Sequence, residues 1–204
     1  MSTTPTSDLT LVRQAWEQWA KVGAGLSDVE WARPTRLTGW DVLTLYAHVA
    51  RSVEVLAGLL DEPLPGTAPE RADASAYFAS FAGVREQAAR QVDAVARRAA
   101  AAGPAPLVAS LAGDGPAVLD RAEAAGEVTV GTVGGTIALP DYLLTRLVEA
   151  TIHLLDLRHA VPGPGPAPEA VDRVVDVLVG IAGPVAFVES ATGRADLSIF
   201  PLLA

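Results

Sequence analysis

The chain has 204 residues, with 24 acidic and 15 basic side chains, three histidines and no cysteine. This length corresponds to one domain of ordinary size, residues 1–204, and its abundant alanine favours helix over an all-β architecture. A formal charge of −9 argues against a nucleic-acid partner, because that binding depends on clustered lysine and arginine. The absence of cysteine excludes disulfides, cysteine-ligated zinc and a cysteine nucleophile.

Membrane insertion and secretion are not expected from the sequence. The longest uncharged stretch, residues 99–113, is shorter than the roughly 20 apolar residues of a membrane span and contains Pro104 and Pro106. The first ten residues lack the basic and apolar regions of a signal peptide. We therefore expect a cytoplasmic protein.

Two helices are predicted in the first third of the chain. Apolar residues recur at spacings of three and four over residues 7–22, until Gly23 interrupts them. A second helix is predicted after the capping signal of Thr38 and Asp41, and it ends at Pro63. The apolar series of this second helix is Val42, Leu45, Val49, Val53, Leu56 and Leu60.

The middle of the chain is predicted to contain one long helix followed by irregular structure. The long helix covers residues 78–99, where an apolar row that includes Val84 and Val92 lines one face. Residues 104–139 are predicted to be irregular, with one short helix at 118–125 and a strand-like stretch at 127–133. A connecting loop, or alternatively a pocket lining, is predicted for the glycines Gly131, Gly134 and Gly135.

The last third is predicted to contain two further helices. Pro140 suits the first turn of a fourth helix that ends before Pro162. The proline-rich connector 161–169 precedes a fifth helix at 171–181, and a short strand is predicted at 193–200.

Four principal helices, one added C-terminal helix and little sheet predict an all-α four-helix bundle with minor β segments. Residues 1–160 are assigned to the core bundle and residues 167–204 to a C-terminal extension.

Two histidines lie on predicted helix faces that also carry apolar residues. His48 is on the second helix, and His153 is on the fourth, four residues after Glu149. This spacing places the carboxylate and the imidazole on one face, about 5–6 Å apart at Cβ, so both can bind one metal ion. His48 is the candidate third ligand. A surface ion pair and a histidine buried in the core remain the alternatives.

Two segments resemble signature motifs of the mycothiol-dependent maleylpyruvate isomerase family, within the DinB-like superfamily. They are WARPTRLTGWDVLTLYAHVA at residues 31–50 and DYLLTRLVEATIHLLDL at residues 141–157. The resemblance extends from the first helix to Ala160 and implies a DinB-like four-helix bundle.

The resemblance also implies a ligand set, in which His48, Glu149 and His153 bind a divalent metal ion, most commonly zinc. Two histidines and one glutamate leave coordination positions open, which is typical of a catalytic site. Because the chain has no cysteine, the resemblance implies that a low-molecular-weight thiol such as mycothiol is bound as the nucleophile.

Further residues are candidates for supporting roles. Arg146, one turn before the ligand pair, is a candidate for binding a carboxylate of the substrate or the thiol cofactor, with a surface ion pair as the alternative. Asp156 either fixes an imidazole tautomer or, as we favour, forms a cap or salt bridge. Arg146 and Asp156 are the candidate catalytic residues, and Trp40, expected beside the site, is with Arg146 a candidate cofactor-binding residue. His159 is rotated about 120° from the ligand histidine and is not a ligand. The tryptophans assigned to the core are Trp16, Trp19 and Trp31.

The sequence departs from the family pattern in two respects. Leu154 and Leu155 stand where family members commonly have a small residue and an aromatic one. The family's isomerase carries an additional C-terminal domain, and the residues after Pro166 are too few to form one. We therefore expect this chain to share the family's metal site more closely than the family's substrate.

The sequence supports three hypotheses for function. The first is a metal-dependent enzyme that uses a thiol for isomerisation of, or transfer to, a small electrophile. The second is a metal-dependent hydrolase or lyase without a thiol, and the third is a non-catalytic binding or dimerisation module. A small molecule is the expected partner, and homodimerisation is left open.

Overall fold

A computed structural model describes residues 6–195 of the chain, which are mainly helical with one two-stranded hairpin. This confirms the predicted all-α bundle with minor β segments. The helices are α1 (Asp8–Gly25), α2 (Asp28–Trp31), α3 (Val42–Asp61), α4 (Ala74–Ala79), α5 (Arg85–Ala100), α6 (Pro104–Ala109), α7 (Gly115–Ala125), α8 (Leu139–Ala160), α9 (Pro168–Ala182) and α10 (Pro184–Ala191). The strands are β1 (Thr129–Thr132) and β2 (Gly135–Ala138).

The ends of the long helices follow local capping chemistry, with two corrections. The Ser7 hydroxyl accepts from the Thr10 N–H at the start of α1, and this helix continues through Gly23 to Gly25. At α3 the cap is Asp41, whose carboxylate accepts from the Thr44 N–H at 2.8 Å. The prediction of a capping box based on Thr38 was therefore wrong in detail, because the aspartate caps the helix alone.

The third helix of the core lies where the sequence predicted irregular chain with one short helix at 118–125. That short helix is confirmed, because α7 contains it, but the helical stretch that precedes it was not predicted. The helical stretch from α6 to α7 is interrupted only by a π-helical turn, Ser110–Asp114, in which the Gly115 N–H bonds to the Ser110 carbonyl. Prolines in the first turns of α6 and α7 are compatible with helix, because those N–H groups have no helical partner. Its large buried side chains are Leu107, Leu111, Val118 and Leu119. With α1, α3 and α8, this stretch completes the bundle.

The long helix predicted over residues 78–99 is in fact two helices on the outside of the bundle. Turns at residues 80–84 separate α4 from α5. In α5 only Ala96 is buried, whereas Val92 is 39% exposed, and Val84 just before it is 48% exposed. The prediction of a core face was wrong, because α5 packs along α3 through a single narrow side.

A tight hairpin replaces the loop predicted around three glycines. Val130 pairs with Ile137, and both are fully buried. Gly134 lies in the turn, where a Cβ would stand 2.7 Å from the Tyr77 ring, and Gly135 has φ +104°, which favours glycine. The strand predicted at 127–133 thus contains β1, and β2 was missed.

The C-terminal helices α9 and α10 extend the bundle. Arg173 of α9 donates two hydrogen bonds, of 2.7 and 2.9 Å, to the Asp8 carboxylate at the start of α1. The short α10 follows directly and was not predicted. Most of the strand predicted at 193–200 lies outside the described residues.

One described helix, α3, is long and apolar enough by composition to cross a membrane, with a mean hydropathy of 1.3. However, 56% of its apolar window is buried within the structure, as in the core helix of a bundle. Helices α9 and α10 meet the same criterion of length and apolarity only when they are taken together, and the chain bends by 103° between them.

Gly23 makes room for a buried tyrosine. The Tyr46 hydroxyl donates to the Trp19 carbonyl oxygen at 3.1 Å, and its ring packs edge-on against Trp19 and Trp31. A Cβ on Gly23 would lie only 2.5 Å from that hydroxyl. The close approach of the Tyr46 side chain therefore requires glycine at position 23, although glycine weakens the helix.

We predict that Gly23→Ala lowers the free energy of unfolding by about 1–3 kcal/mol, since the clash outweighs alanine's better helix propensity. Gly25→Ala is the matched control, because its Cβ would meet no atom within 4 Å. Chemical denaturation of both variants checks this prediction, and equal midpoints would contradict it.

Candidate metal centre

The site forms where two antiparallel helices, α3 and α8, lie side by side. After α3, the Leu64 N–H bonds to the Thr129 carbonyl of β1, and α8 begins directly after β2. The C-terminal end of α3 is therefore near the N-terminal end of α8. His48, in the first half of α3, consequently meets Glu149 at the middle of α8 and His153 in its second half.

Three potential ligand atoms converge. Nε2 of His48 is 2.9 Å from Oε2 of Glu149, and Nε2 of His153 is 3.3 Å from the same oxygen. All three ligand atoms lie within 4.8 Å of one another. In residues 6–195 this is the one group of three or more such side chains with metal-binding geometry.

The donor set fits a divalent ion such as zinc. Tetrahedral zinc with bonds of about 2.0–2.1 Å holds its ligand atoms about 3.3 Å apart. The distances from the Glu149 oxygen to the two histidine nitrogens, 2.9 and 3.3 Å, are close to this value. Two imidazoles and one carboxylate are ligands that zinc uses, and three protein ligands leave a position open. The side chains are 17–23% exposed, so a small molecule can reach them.

A hydrogen-bonded chain orients His153. Its Nδ1 is 2.8 Å from Oδ2 of Asp156, while Oδ1 of Asp156 accepts from Nε of Arg36 at 2.5 Å. Asp156 thus holds the imidazole and also forms a salt bridge, so both sequence alternatives occur together. With Nδ1 occupied, Nε2 is left for a metal ion. Arg36 also contacts His159, which is exposed and away from the cluster, through Nη1 and Nε2 at 2.9 Å.

Trp40 forms one wall of the site, as expected. Its ring centroid is 5.5 Å from that of His48 and 6.5 Å from that of His153. Its indole N–H donates to Asp93 of α5 at 2.8 Å, and Arg97 bonds to the same carboxylate. The other three tryptophans are buried, which confirms their assignment to the core. The loop at residues 32–41 that carries Trp40 borders an open depression of about 400 Å³.

Arg146 lies one turn before Glu149 on α8. Its Nε donates to Oγ1 of Thr145 at 3.1 Å, and its guanidinium carbon lies 4.9 Å from the centre of the Tyr142 ring. Within residues 6–195, no carboxylate lies within salt-bridge distance of it. The surface ion pair considered from the sequence is therefore not found in this part of the chain.

Two residues at the site, Arg36 and Asp93, were not predicted from the sequence. Arg36 lies within the first motif segment, between Pro34 and Trp40, so its motif position was an available signal. Asp93 is one of several charged residues between positions 85 and 97, and nothing local distinguishes it from the others.

Burial and mutual contacts shift the pKa values of the three side chains. Burial acts to raise the pKa of Glu149, but hydrogen bonds from His153 and His48 hold it well below its usual value. Burial lowers the pKa of His48. Burial also acts to lower the pKa of His153, but Asp156 and Glu149 raise it to about 9. At neutral pH the metal-free cluster therefore holds an ionised glutamate between a neutral and a protonated histidine.

The sequence matches a family model described as the mycothiol maleylpyruvate isomerase N-terminal domain, over residues 12–158. The chain belongs to this family. The family match confirms the resemblance and includes all three converging side chains, but it ends before α9. No curated protein and no solved structure matches the chain significantly.

The two positions at which the sequence is expected to depart from the family pattern lie off the ligand face. Leu154 is buried in the core, whereas Leu155 is 40% exposed. On an ideal helix they are rotated by about 100° and 200° from His153. The departures therefore leave the face that carries Glu149 and His153 unchanged.

We predict that zinc affinity rises with pH. In the metal-free protein, His153 carries a proton below about pH 9, and this proton must leave before Nε2 can bind a metal ion. The apparent affinity should therefore increase about tenfold per pH unit up to about pH 9 and then level off. Chelator competition, corrected for the chelator's own protonation, measures this dependence, and a flat profile across neutral pH would contradict it.

We also predict that His153→Ala weakens zinc binding by more than about 100-fold, because it removes a ligand, whereas even outer-shell changes cost about 10–100-fold. His159→Ala is the control, since this exposed histidine lies outside the cluster. Metal content after dialysis compares the two variants, and equal retention would refute the ligand assignment.

Proposed function

We propose that the protein is a divalent-metal-dependent enzyme that activates a low-molecular-weight thiol, such as mycothiol, toward a small electrophile. The observation that carries this proposal is the convergence of His48, Glu149 and His153 at a solvent-accessible point. Family membership supports the thiol, and zinc is the ion we favour from the donor set.

The protein's residues bind and orient the reactants in this proposal. When bound, the ion supplies a Lewis acid that lowers the pKa of a thiol so that the thiolate exists near neutrality. Asp156 fixes the imidazole of His153, and Trp40 limits access from the side of α5. Arg146 stands one turn away, where it can bind a reactant.

Two reaction classes are compatible with this arrangement. The thiolate sulfur forms a bond to one carbon of an alkene that is conjugated to a carbonyl group, and the π electrons of the alkene move onto the carbonyl oxygen as an enolate. If the enolate expels the thiolate after rotation about the carbon–carbon bond, the alkene is restored and the protein is an isomerase. If the enolate takes up a proton instead, the sulfur–carbon bond persists and the protein is an S-transferase.

The absence of cysteine makes thiol binding directly measurable. Cobalt-substituted protein should develop a sulfur-to-metal charge-transfer band when mycothiol is added, and the chain itself contributes no thiol to this signal. His153→Ala should lose the band because it loses the metal, and His159→Ala should keep it.

If metal-loaded protein shows no band and does not consume electrophiles with a panel of thiols, the thiol proposal is wrong. Hydrolysis of esters or amides by the same protein would then support a thiol-independent hydrolase. Failure to retain any divalent ion would instead support a non-catalytic module.

A further inference from the structure

Arg146 is a partly buried cation beside the metal centre that lacks an acidic partner among residues 6–195. Its Nε is bonded to Thr145, but neither Nη1 nor Nη2 has a hydrogen-bond partner in that part of the chain. Neither nitrogen is among the buried atoms without a partner, so both retain contact with solvent. A partly desolvated guanidinium with a free edge has unused capacity to bind an anion.

The guanidinium is held in place by its neighbours. Thr145 is fully buried, and its hydroxyl donates to the Tyr142 carbonyl at 2.6 Å, so the oxygen that accepts from Arg146 is fixed. The Tyr142 ring lies beneath the guanidinium at 4.9 Å. Because Nε is occupied and the ring covers one face, the Nη edge is the part left for a ligand. A fixed planar fork suits a carboxylate, which can accept two parallel hydrogen bonds.

A second arginine stands one turn from the centre on the facing helix. Arg51 follows His48 by three residues on α3, is partly buried, and has no carboxylate within salt-bridge distance in the described chain. Because α3 and α8 are antiparallel, Arg51 and Arg146 are displaced from the ligands in the same direction along the bundle.

Glu149 is the one acidic side chain of the ligand cluster. Its carboxylate faces the two histidines, and a bound divalent ion would share it. The side of the centre near Arg146 therefore carries excess positive charge in a protein whose net charge is −9. This local reversal of sign favours an anionic ligand there.

We propose that Arg146 forms an anion subsite beside the metal ligands and binds a carboxylate carried by one of the two reactants. The role of that anion as part of a reactant rests on the proposed function. The electrophile is one source of this carboxylate. The thiol is the other only if it is a thiol that, unlike mycothiol, keeps a free carboxylate, and the experiment separates these two sources.

The test uses the zinc-loaded full chain and compounds that do not react with it. Calorimetry compares succinate with the neutral succinamide on the wild type, Arg146→Gln and Arg90→Gln. Arg90 is the matched control, because it is 72% exposed on α5 and the substitution removes the same charge. We expect the wild type and Arg90→Gln to prefer succinate by about tenfold or more, and Arg146→Gln to lose that preference.

A second arm compares N-acetylcysteine with N-acetylcysteamine, which lacks the carboxylate. If Arg146→Gln loses only its preference for succinate, the electrophile is supported as the source of the anion. The same loss for N-acetylcysteine alone supports the thiol. If Arg146→Gln keeps the wild-type preferences in both arms, or if the wild type shows none, the subsite is refuted.

Two controls keep the outcome interpretable. Metal content and the thermal transition of Arg146→Gln are measured first, and Arg146→Lys, which keeps the charge but loses the fork, replaces it if it does not fold. We expect Arg146→Lys to show a reduced preference, and an unchanged one would also refute the subsite. Since no arm requires turnover, failure of the thiol proposal leaves this test intact.

Discussion

The antiparallel packing of α3 against α8 is the constraint on which the candidate site depends. It brings His48 next to a carboxylate and an imidazole that already share one face of α8. The hairpin connects the two helices at their far ends, where the Leu64 N–H bonds to Thr129 and β2 leads directly into α8. Moving either helix by one turn, about 5.4 Å, would separate the three ligand atoms beyond the reach of one ion.

The residues around the cluster give its two sides different properties. On one side, Asp156 and Arg36 form a paired, neutralised contact that fixes His153. On the other, Arg146 and Arg51 lack such partners in the described chain. Trp40, bonded to Asp93, separates the imidazoles from α5. Hydrogen bonds thus hold His153 on one side of the centre, and arginines without acidic partners in the described chain stand on the other.

Family membership and composition together favour a reactant thiol. The family description names a mycothiol-dependent isomerase domain, and this chain has no cysteine with which to supply a sulfur nucleophile itself. A site with three protein ligands and a solvent-accessible face can accept an external nucleophile. The α9 and α10 segment lies beyond the family match.

The sequence by itself determined α1, α3 and α8 and the pairing of Glu149 with His153, because caps, apolar periodicity and a spacing of four are local properties. It did not determine the full third core helix, because the prolines and glycines of residues 104–125 weaken the local signal for helix. Residues 78–99 display a stronger helix signal, although they lie on the outside of the bundle. Only tertiary packing decided which stretch the bundle buries. The contacts of Arg36 with Asp156 and of Trp40 with Asp93 span 120 and 53 residues, and no local pattern encodes contacts between segments so far apart in the chain.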